Sequence, residues 1–275
     1  MKRIGVVGLG LIGGSIALGV RKFFVGCEVI GADLRKGDWP DDLLDDFVSI
    51  SSESDLSRMP QCDLIVLAVP VVSVLALLGP ALDTGSVVTD VASTKRQVAA
   101  AARGHGRAGR FVPGHPMTGA PRNGFVHARA DLFANASWLL CPEQVEPSAL
   151  MQVRTLVSGL GGAAHEMSAA AHDRAVALTS HVPQLLASAL RIAAQQGNYA
   201  AAAGPAFERM TRGAGGARSM WSDVFVTNAD LVAEQAEALS AELARLARAL
   251  RADPPDMGAI HALLEAAGRA KDPSN

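Results

Sequence analysis

Apolar and polar positions follow two different patterns along this chain. Through its first part, short continuous apolar runs recur between turn residues: Ile4-Gly5-Val6-Val7, Val29-Ile30-Gly31-Ala32, Leu64 to Val69 and Val87-Val88. Runs that are continuous rather than alternating fit strands covered on both faces, as in a parallel sheet. Helix-period segments follow several of them, at Ile16 to Val20, Val71 to Leu78 and Pro147 to Gly159. Strand and helix in alternation, joined by right-handed crossovers, predict a doubly wound α/β sheet. Further strands are predicted at Phe111-Val112-Pro113 and Ser137 to Cys141, with Ala163 to Met167 closing the sheet. The acidic stretch from Gly37 to Asp46 reads as irregular, with Asp41, Asp42, Asp45 and Asp46 on a solvated helix face.

From Ala169 onward the pattern is helical and rich in alanine. The boundary is expected near Ser168, giving a sheet domain over 1–168 and an all-helical domain over 169–275. One helix is predicted from about Ala170 to Gln196, stopped by Gly197-Asn198. Pro183 lies inside it, where it lacks an N–H and blocks the carbonyl of Thr179, so a kink is expected. Gly213 to Gly216 interrupts the next segment, and a long helix is predicted from Asp223 to Arg251. Its Leu239, Leu243, Leu246 and Leu250 form an apolar seam suited to packing against a second subunit.

The first strand runs into Gly8-Leu9-Gly10-Leu11-Ile12-Gly13, and a helix follows. In that setting Gly8 permits a tight turn, Gly10 admits a pyrophosphate and Gly13 lets helix and strand approach. Leu11 and Ile12 open the helix, whose free N–H groups and positive end face the phosphates. The second strand ends in Asp33, about 20 positions after Gly13. A carboxylate there binds the adenosine ribose hydroxyls and repels a 2′-phosphate. NAD is therefore favoured over NADP, although Arg35 and Lys36 follow. Val69-Pro70 ends another strand at the edge where such sheets bind ligands. This half of the chain reads as a Rossmann domain.

Composition narrows the classes. The chain has 275 residues, 49% of them hydrophobic but only 4% aromatic. A formal net charge of -2 with no basic block argues against nucleic acid. No apolar run reaches the roughly 18 residues that span a bilayer. The chain begins at its first strand, so a soluble cytoplasmic protein without a leader is expected. Cys27, Cys62 and Cys141 lack metal-ligand spacing and are expected to be buried reduced thiols.

A nicotinamide site needs a group that handles the proton when hydride leaves carbon. Ser93 follows a strand, and His115 lies between Gly114 and Pro116 just beyond another. His115 is either functional or a structural loop histidine. His181 and Gln184 share one face of the kinked helix and form either a site or a satisfied core pair. Arg212, beside flexible glycines, either clamps a carboxylate or is solvated. His105, His127, His165, His172 and His261 read as surface or structural residues, and His172-Asp173 is placed to cap its own helix.

The order of these motifs resembles the prephenate/arogenate dehydrogenase family of tyrosine biosynthesis. It is carried by Gly8 to Ser15, Thr89 to Lys95, Gly114-His115-Pro116-Met117-Thr118-Gly119, Ser180 to Gln184, and Thr211-Arg212 with Trp221 and Asn228. The resemblance implies NAD-dependent oxidative decarboxylation of a cyclohexadienol. His115 would take the hydroxyl proton, Ser93 would orient it, and Arg212 would hold a substrate carboxylate. His181, Gln184, Thr118 and Gly119 would line the substrate, and the helical domain would form a homodimer. Many prephenate-using members carry histidine where this chain has Gln184, so arogenate stays open beside prephenate. Another NAD-dependent dehydrogenase of the β-hydroxyacid type is disfavoured by Gly114 to Met117. A nucleotide-sensing protein without chemistry is disfavoured by Ser93, His115 and Arg212 together.

Overall fold

The computed structural model describes residues 1–119 and 124–270. Two compact units are found, Met1–Ala229 and Asp230–Asn275. In the first, β1 (Arg3–Val7) leads into α1 (Leu11–Phe23), then β2 (Glu28–Asp33), β3 (Asp46–Ser49) and β4 (Leu64–Leu67). Helix α2 (Val71–Asp83), β5 (Val87–Asp90), α3 (Arg96–Arg103) and β6 (Phe111–Val112) follow. The six strands form one parallel sheet in the order β3-β2-β1-β4-β5-β6, the order of a dinucleotide-binding sheet. Strands β4 and β5 are buried along their whole length, and β1 is buried from Ile4 onward. Apolar clusters cover the two faces, one including Ile16, Val20 and Leu156, the other Val74, Leu78 and Val98.

A second, three-stranded sheet departs from expectation. It comprises β7 (Gly114–Pro116), β8 (Ser137–Leu140) and β9 (Ala163–Glu166), with α4 (Pro147–Gly159) between the last two. Strand β7 is antiparallel to β8, and β8 is parallel to β9. The segments at 137 and 163 are therefore strands as predicted, but they do not extend the parallel sheet. Pro113 separates β6 from β7, and having no N–H it cannot continue a ladder. Residues 41–46 form no helix. Asp46 instead opens the edge strand β3, and Asp45 accepts from Val29 N–H and Arg21.

Helix α5 (Ala169–Val176) starts at Ser168, whose side chain accepts the N–H of Ala171. A π turn, Ala177–His181, joins it to α6 (Val182–Gln196), and the N–H of Val182 reaches back to Ala177 O. The widened turn relieves the clash that Pro183 would make with Thr179 O, so the expected disruption takes the form of a π turn. Helix α7 (Pro205–Thr211) ends before the glycine segment and α8 (Arg218–Thr227) begins after it. The long helix predicted from Asp223 is broken at Asn228. Helix α9 runs over Ala229–Arg251, and α10 (Met257–Ala270) was not anticipated. In α9, Leu243 and Leu250 are exposed.

The three cysteines are unpaired and buried, and burial pushes the thiols of Cys62 and Cys141 up to about 12. Among the described residues no helix is long and apolar enough to cross a membrane.

Candidate active site

The glycine turn crosses from β1 into α1. Gly8 has φ +89°, a conformation that favours glycine, and a Cβ there would sit 2.5 Å from Ala68 O and 2.7 Å from Val69. A Cβ on Gly10 would meet nothing within 4 Å. Gly10 caps α1 without a side-chain bond, and the first turn carries no acid. The N–H groups of Leu11, Ile12 and Gly13 thus start the helix without intrahelical partners. Open space above unpartnered N–H groups at a positive helix end suits a phosphate. Asp33 closes the turn from the side: Oδ2 accepts Leu9 N–H at 2.8 Å and Oδ1 accepts Leu34 N–H at 2.7 Å. Pro70, exposed, caps α2 at the same edge of the sheet. Arg35 is exposed beyond β2. The turn fits a dinucleotide.

Two strands along, β5 delivers Asp90, which is fully buried. Its Oδ1 accepts Gly114 N–H and its Oδ2 accepts Ala92 N–H. Buried Lys95 pairs with Asp90 and donates to Gly114 O at 2.7 Å. A Cβ on Gly114 would lie 2.9 Å from Asp90 O and 3.0 Å from the indole nitrogen of Trp138. Only glycine lets β7 approach so closely, and the next residue on β7 is His115.

His115 pairs with Leu139 of β8, so its backbone is held in a sheet. Its Nδ1 lies 2.9 Å from Nε2 of His172 on α5. His172, fully buried, has Nδ1 2.7 Å from Asp173 Oδ1. Burial, His172, Lys95 and His181 hold the His115 pKa well below the usual histidine value. Burial also lowers His172, against the opposing bond to Asp173. Burial would raise Asp173, but His172 and the N–H groups of Arg96 and Lys95 outweigh it and hold the carboxyl low.

Asp173 accepts Lys95 N–H at 2.7 Å and Arg96 N–H at 2.9 Å. It therefore faces the positive end of α3, not that of its own helix, which Ser168 caps. Arg96 also donates to Asn228 Oδ1 at 3.0 Å, and Asn228 Nδ2 donates to Asp173 O and, at 3.3 Å, toward His181 Nδ1. His181 is buried, and burial lowers its pKa to about 4.

The remaining anticipated residues are spread around this cluster. Ser93 is half-buried in the loop after β5 and makes no hydrogen bond to His115 among the described residues. Gln184 lies beside the glycine segment: its amide is 3.3 Å from where a Gly213 Cβ would be and 3.7 Å from that of Gly216. Trp221 packs edge-on to His181 with ring centroids 6.1 Å apart. Arg212 ends α7 with its side chain exposed. Thr118, which bonds Leu132 O at 3.3 Å, and exposed Gly119 follow β7. Sequence reasoning passed over His172 and Asp173. The one local signal was an adjacent His-Asp pair in the first two turns of an alanine-rich helix.

Residues 16–166 match the family model described as prephenate dehydrogenase, nucleotide-binding domain, and residues 168–265 match prephenate dehydrogenase, dimerization domain. A prephenate dehydrogenase from Lactococcus lactis subsp. cremoris is 33% identical over 263 residues, 90% of this chain and 71% of its own length. Arogenate dehydrogenase from Synechocystis superimposes with a TM-score of 0.79 at 26% identity, covering 99% of this chain and 100% of that one. The prephenate dehydrogenase of A. aeolicus, solved with hydroxyphenyl propionate and NAD+, shares the fold at a TM-score of 0.84 and 23% identity, covering 98% and 97%. A dinucleotide turn, a histidine poised beyond it and two consecutive domain matches converge: the chain belongs to the prephenate dehydrogenase family.

Proposed function

We infer that this protein is an NAD-dependent dehydrogenase that oxidatively decarboxylates prephenate or arogenate, giving 4-hydroxyphenylpyruvate or tyrosine. The observation that carries this reading is His115. It is a neutral, backbone-fixed imidazole held at the C-terminal edge of a sheet whose first turn is built for a dinucleotide.

NAD would rest on Gly8, Gly10, Leu11, Ile12 and Gly13, with Asp33 toward the adenosine ribose and Arg35, Val69 and Pro70 around it. When bound it supplies a hydride acceptor for the carbinol carbon of the substrate ring. His115 takes the hydroxyl proton, for which it must be neutral, and Ser93 orients the hydroxyl. Arg212 holds a carboxylate, its fork suited to two parallel hydrogen bonds. Thr118, Gly119, His181 and Gln184 line the rest of the substrate. The ring carboxylate leaves as carbon dioxide, and the electrons of that bond complete the aromatic ring as hydride departs.

Gln184 bears on which substrate is preferred. A neutral amide offers no charge to the side-chain keto acid of prephenate and accepts an amino-acid side chain equally well. Arogenate therefore stands beside prephenate as a candidate substrate. The working division of the chain is a cofactor domain over 1–168 and a substrate and dimerisation domain over 169–275. We place the homodimer contact on the C-terminal helices, where Leu243 and Leu250 are exposed on the seam of α9, and the protein in the cytoplasm, where three unpaired thiols persist.

The test is a four-way assay, prephenate and arogenate each with NAD and NADP, following reduced cofactor. Turnover is expected with NAD. No turnover with either substrate overturns the reading.

A further inference from the structure

We propose that one buried polar network sets the two site histidines in opposite tautomers, with His172, Asp173 and Asn228 as positioning residues. Asp173, acting through His172, leaves the Nε2 lone pair of His115 free to accept a proton. Asn228 leaves His181 with its proton on Nε2, as a donor. The functional meaning of this arrangement rests on the reading of His115 as the base.

The one fixed end of the first branch is the carboxylate of Asp173. An ionised carboxylate only accepts. Asp173 Oδ1, 2.7 Å from His172 Nδ1, therefore receives a proton from that nitrogen. His172 is fully buried beside the cation of Lys95 and stays neutral, so its Nε2 is bare. The facing Nδ1 of His115, 2.9 Å away, must then carry the proton. A neutral imidazole with hydrogen on Nδ1 has its lone pair on Nε2.

The second branch is fixed by Arg96, whose guanidinium only donates. It donates to Asn228 Oδ1 at 3.0 Å, and Asn228 Nδ2 donates to the carbonyl of Asp173 at 2.9 Å. Both contacts give the amide one orientation, with its NH2 toward His181 Nδ1 at 3.3 Å. His181 Nδ1 thus accepts, and its proton is on Nε2. The same carboxylate also receives the N–H groups of Lys95, the N-cap of α3, and of Arg96, its first residue. The loop carrying Ser93 and the helix carrying His172 are thereby tied to one residue. A base and a donor are specified in a single cluster without a charge on either ring.

The experiment is long-range proton–nitrogen correlation on the full-length protein labelled with 15N-histidine, without cofactor or substrate, at neutral pH. The expected spectra place the proton of His115 on Nδ1 and that of His181 on Nε2; either in the other tautomer overturns the proposal. Asp173 Oδ1 also accepts Lys95 N–H and Oδ2 accepts Arg96 N–H, so in Asp173→Asn either orientation of the amide sets its NH2 against a donor and the His172 proton loses its fixed place on Nδ1. The expected result is a His115 proton shared between Nδ1 and Nε2, with kcat lowered about tenfold and NAD affinity unchanged. A folded Asp173→Asn with the original tautomer and unchanged kcat overturns the proposal.

A second pair guards against loss of folding. His172→Gln keeps an acceptor for His115 Nδ1 and is expected to retain kcat within about tenfold, whereas His172→Leu loses the further decade that an unfixed base costs. Equal losses in both overturn the relay. The spectra need no substrate, so they report on the tautomers even where the assay with prephenate and arogenate fails. A failed assay with the expected spectra counts against the functional reading alone.

Discussion

A Cβ placed on Gly13 would lie 1.8 Å from the carbonyl oxygen of Gly8. The first turn of α1 and the end of β1 are therefore in backbone contact, and no side-chain movement relieves the clash. Gly10, three residues earlier, has negative φ and open space around it. Gly13→Ala is expected to destabilise the protein by at least about 2 kcal/mol. Gly10→Ala is expected to cost less, about 1 kcal/mol, because alanine is a poorer N-cap than glycine but meets no clash, while weakening NAD about tenfold or more by filling the phosphate space. Thermal melts and NAD titrations of both variants check this; equal melting losses would refute it.

For His115→Asn the expected outcome is kcat reduced about 10²-fold or more, the usual worth of a positioned base, with NAD affinity within a factor of about two. Steady-state kinetics and direct titration separate the two. An unchanged kcat removes His115 from the chemistry.

Arg212 is exposed at the end of α7, and Gln184 borders the adjoining glycine segment. Arg212→Gln should mainly raise KM for the aromatic precursor, since a carboxylate clamp acts in ground and transition states alike. Gln184→His should move the ratio of kcat/KM values toward prephenate by about tenfold, the scale of one charge-assisted hydrogen bond. A ratio that does not move rejects the role given to Gln184.

His181 has its pKa lowered from 6.5 to about 4 by burial, so the unfolded chain binds its proton first as pH falls. The stability from this residue is complete above about pH 6.5 and is lost progressively between there and pH 4, amounting to about 3 kcal/mol. His115 and His172, also held low, act in the same direction. Urea midpoints at pH 7.5, 6 and 5 should fall in that order, and His181→Gln should flatten the trend. A constant midpoint contradicts it.

The buried pair of Lys95 and Asp90 gives a double-mutant cycle. Lys95→Met alone strands a buried carboxylate and should cost about 3–5 kcal/mol. Adding Asp90→Asn should recover only part of that, because its NH2 meets the N–H of Gly114 or of Ala92 in either orientation, and additive losses would show that the two do not act as a pair.

What the sequence disclosed and what it hid divide along physical lines. The glycine turn and strands such as Leu64–Leu67 were legible because close approach and two-sided burial restrict residue type locally. Strand β3, four residues at a sheet edge with only Val48 buried, carries no such pattern. The segments forming β8 and β9 were legible as strands, but their partners were not, because pairing with β7 depends on where Pro113 and the buried Asp90–Lys95 pair turn the chain. His115 stood out by its glycine and proline neighbours. His172 did not, since its partner is 57 positions away and its own neighbours are alanine and aspartate. The break at Asn228 was hidden because that residue is recruited by Arg96 and Asp173, not by its helix.

The π turn at Ala177–His181 lets the two halves of its helix keep one angular phase although the stretch between them holds a residue more than regular winding would. An α-helix advances about 100° per residue, and a π turn accommodates one residue that an α turn would not. Removing one residue between Ala177 and His181 would restore regular winding and leave Gln184 and the rest of α6 near their present aim, as His172 and Asp173 upstream would keep theirs. Only residues inside the stretch, His181 among them, would change direction. The turn is thus a place where this helix can gain or lose a residue without rotating the side chains on either side of it.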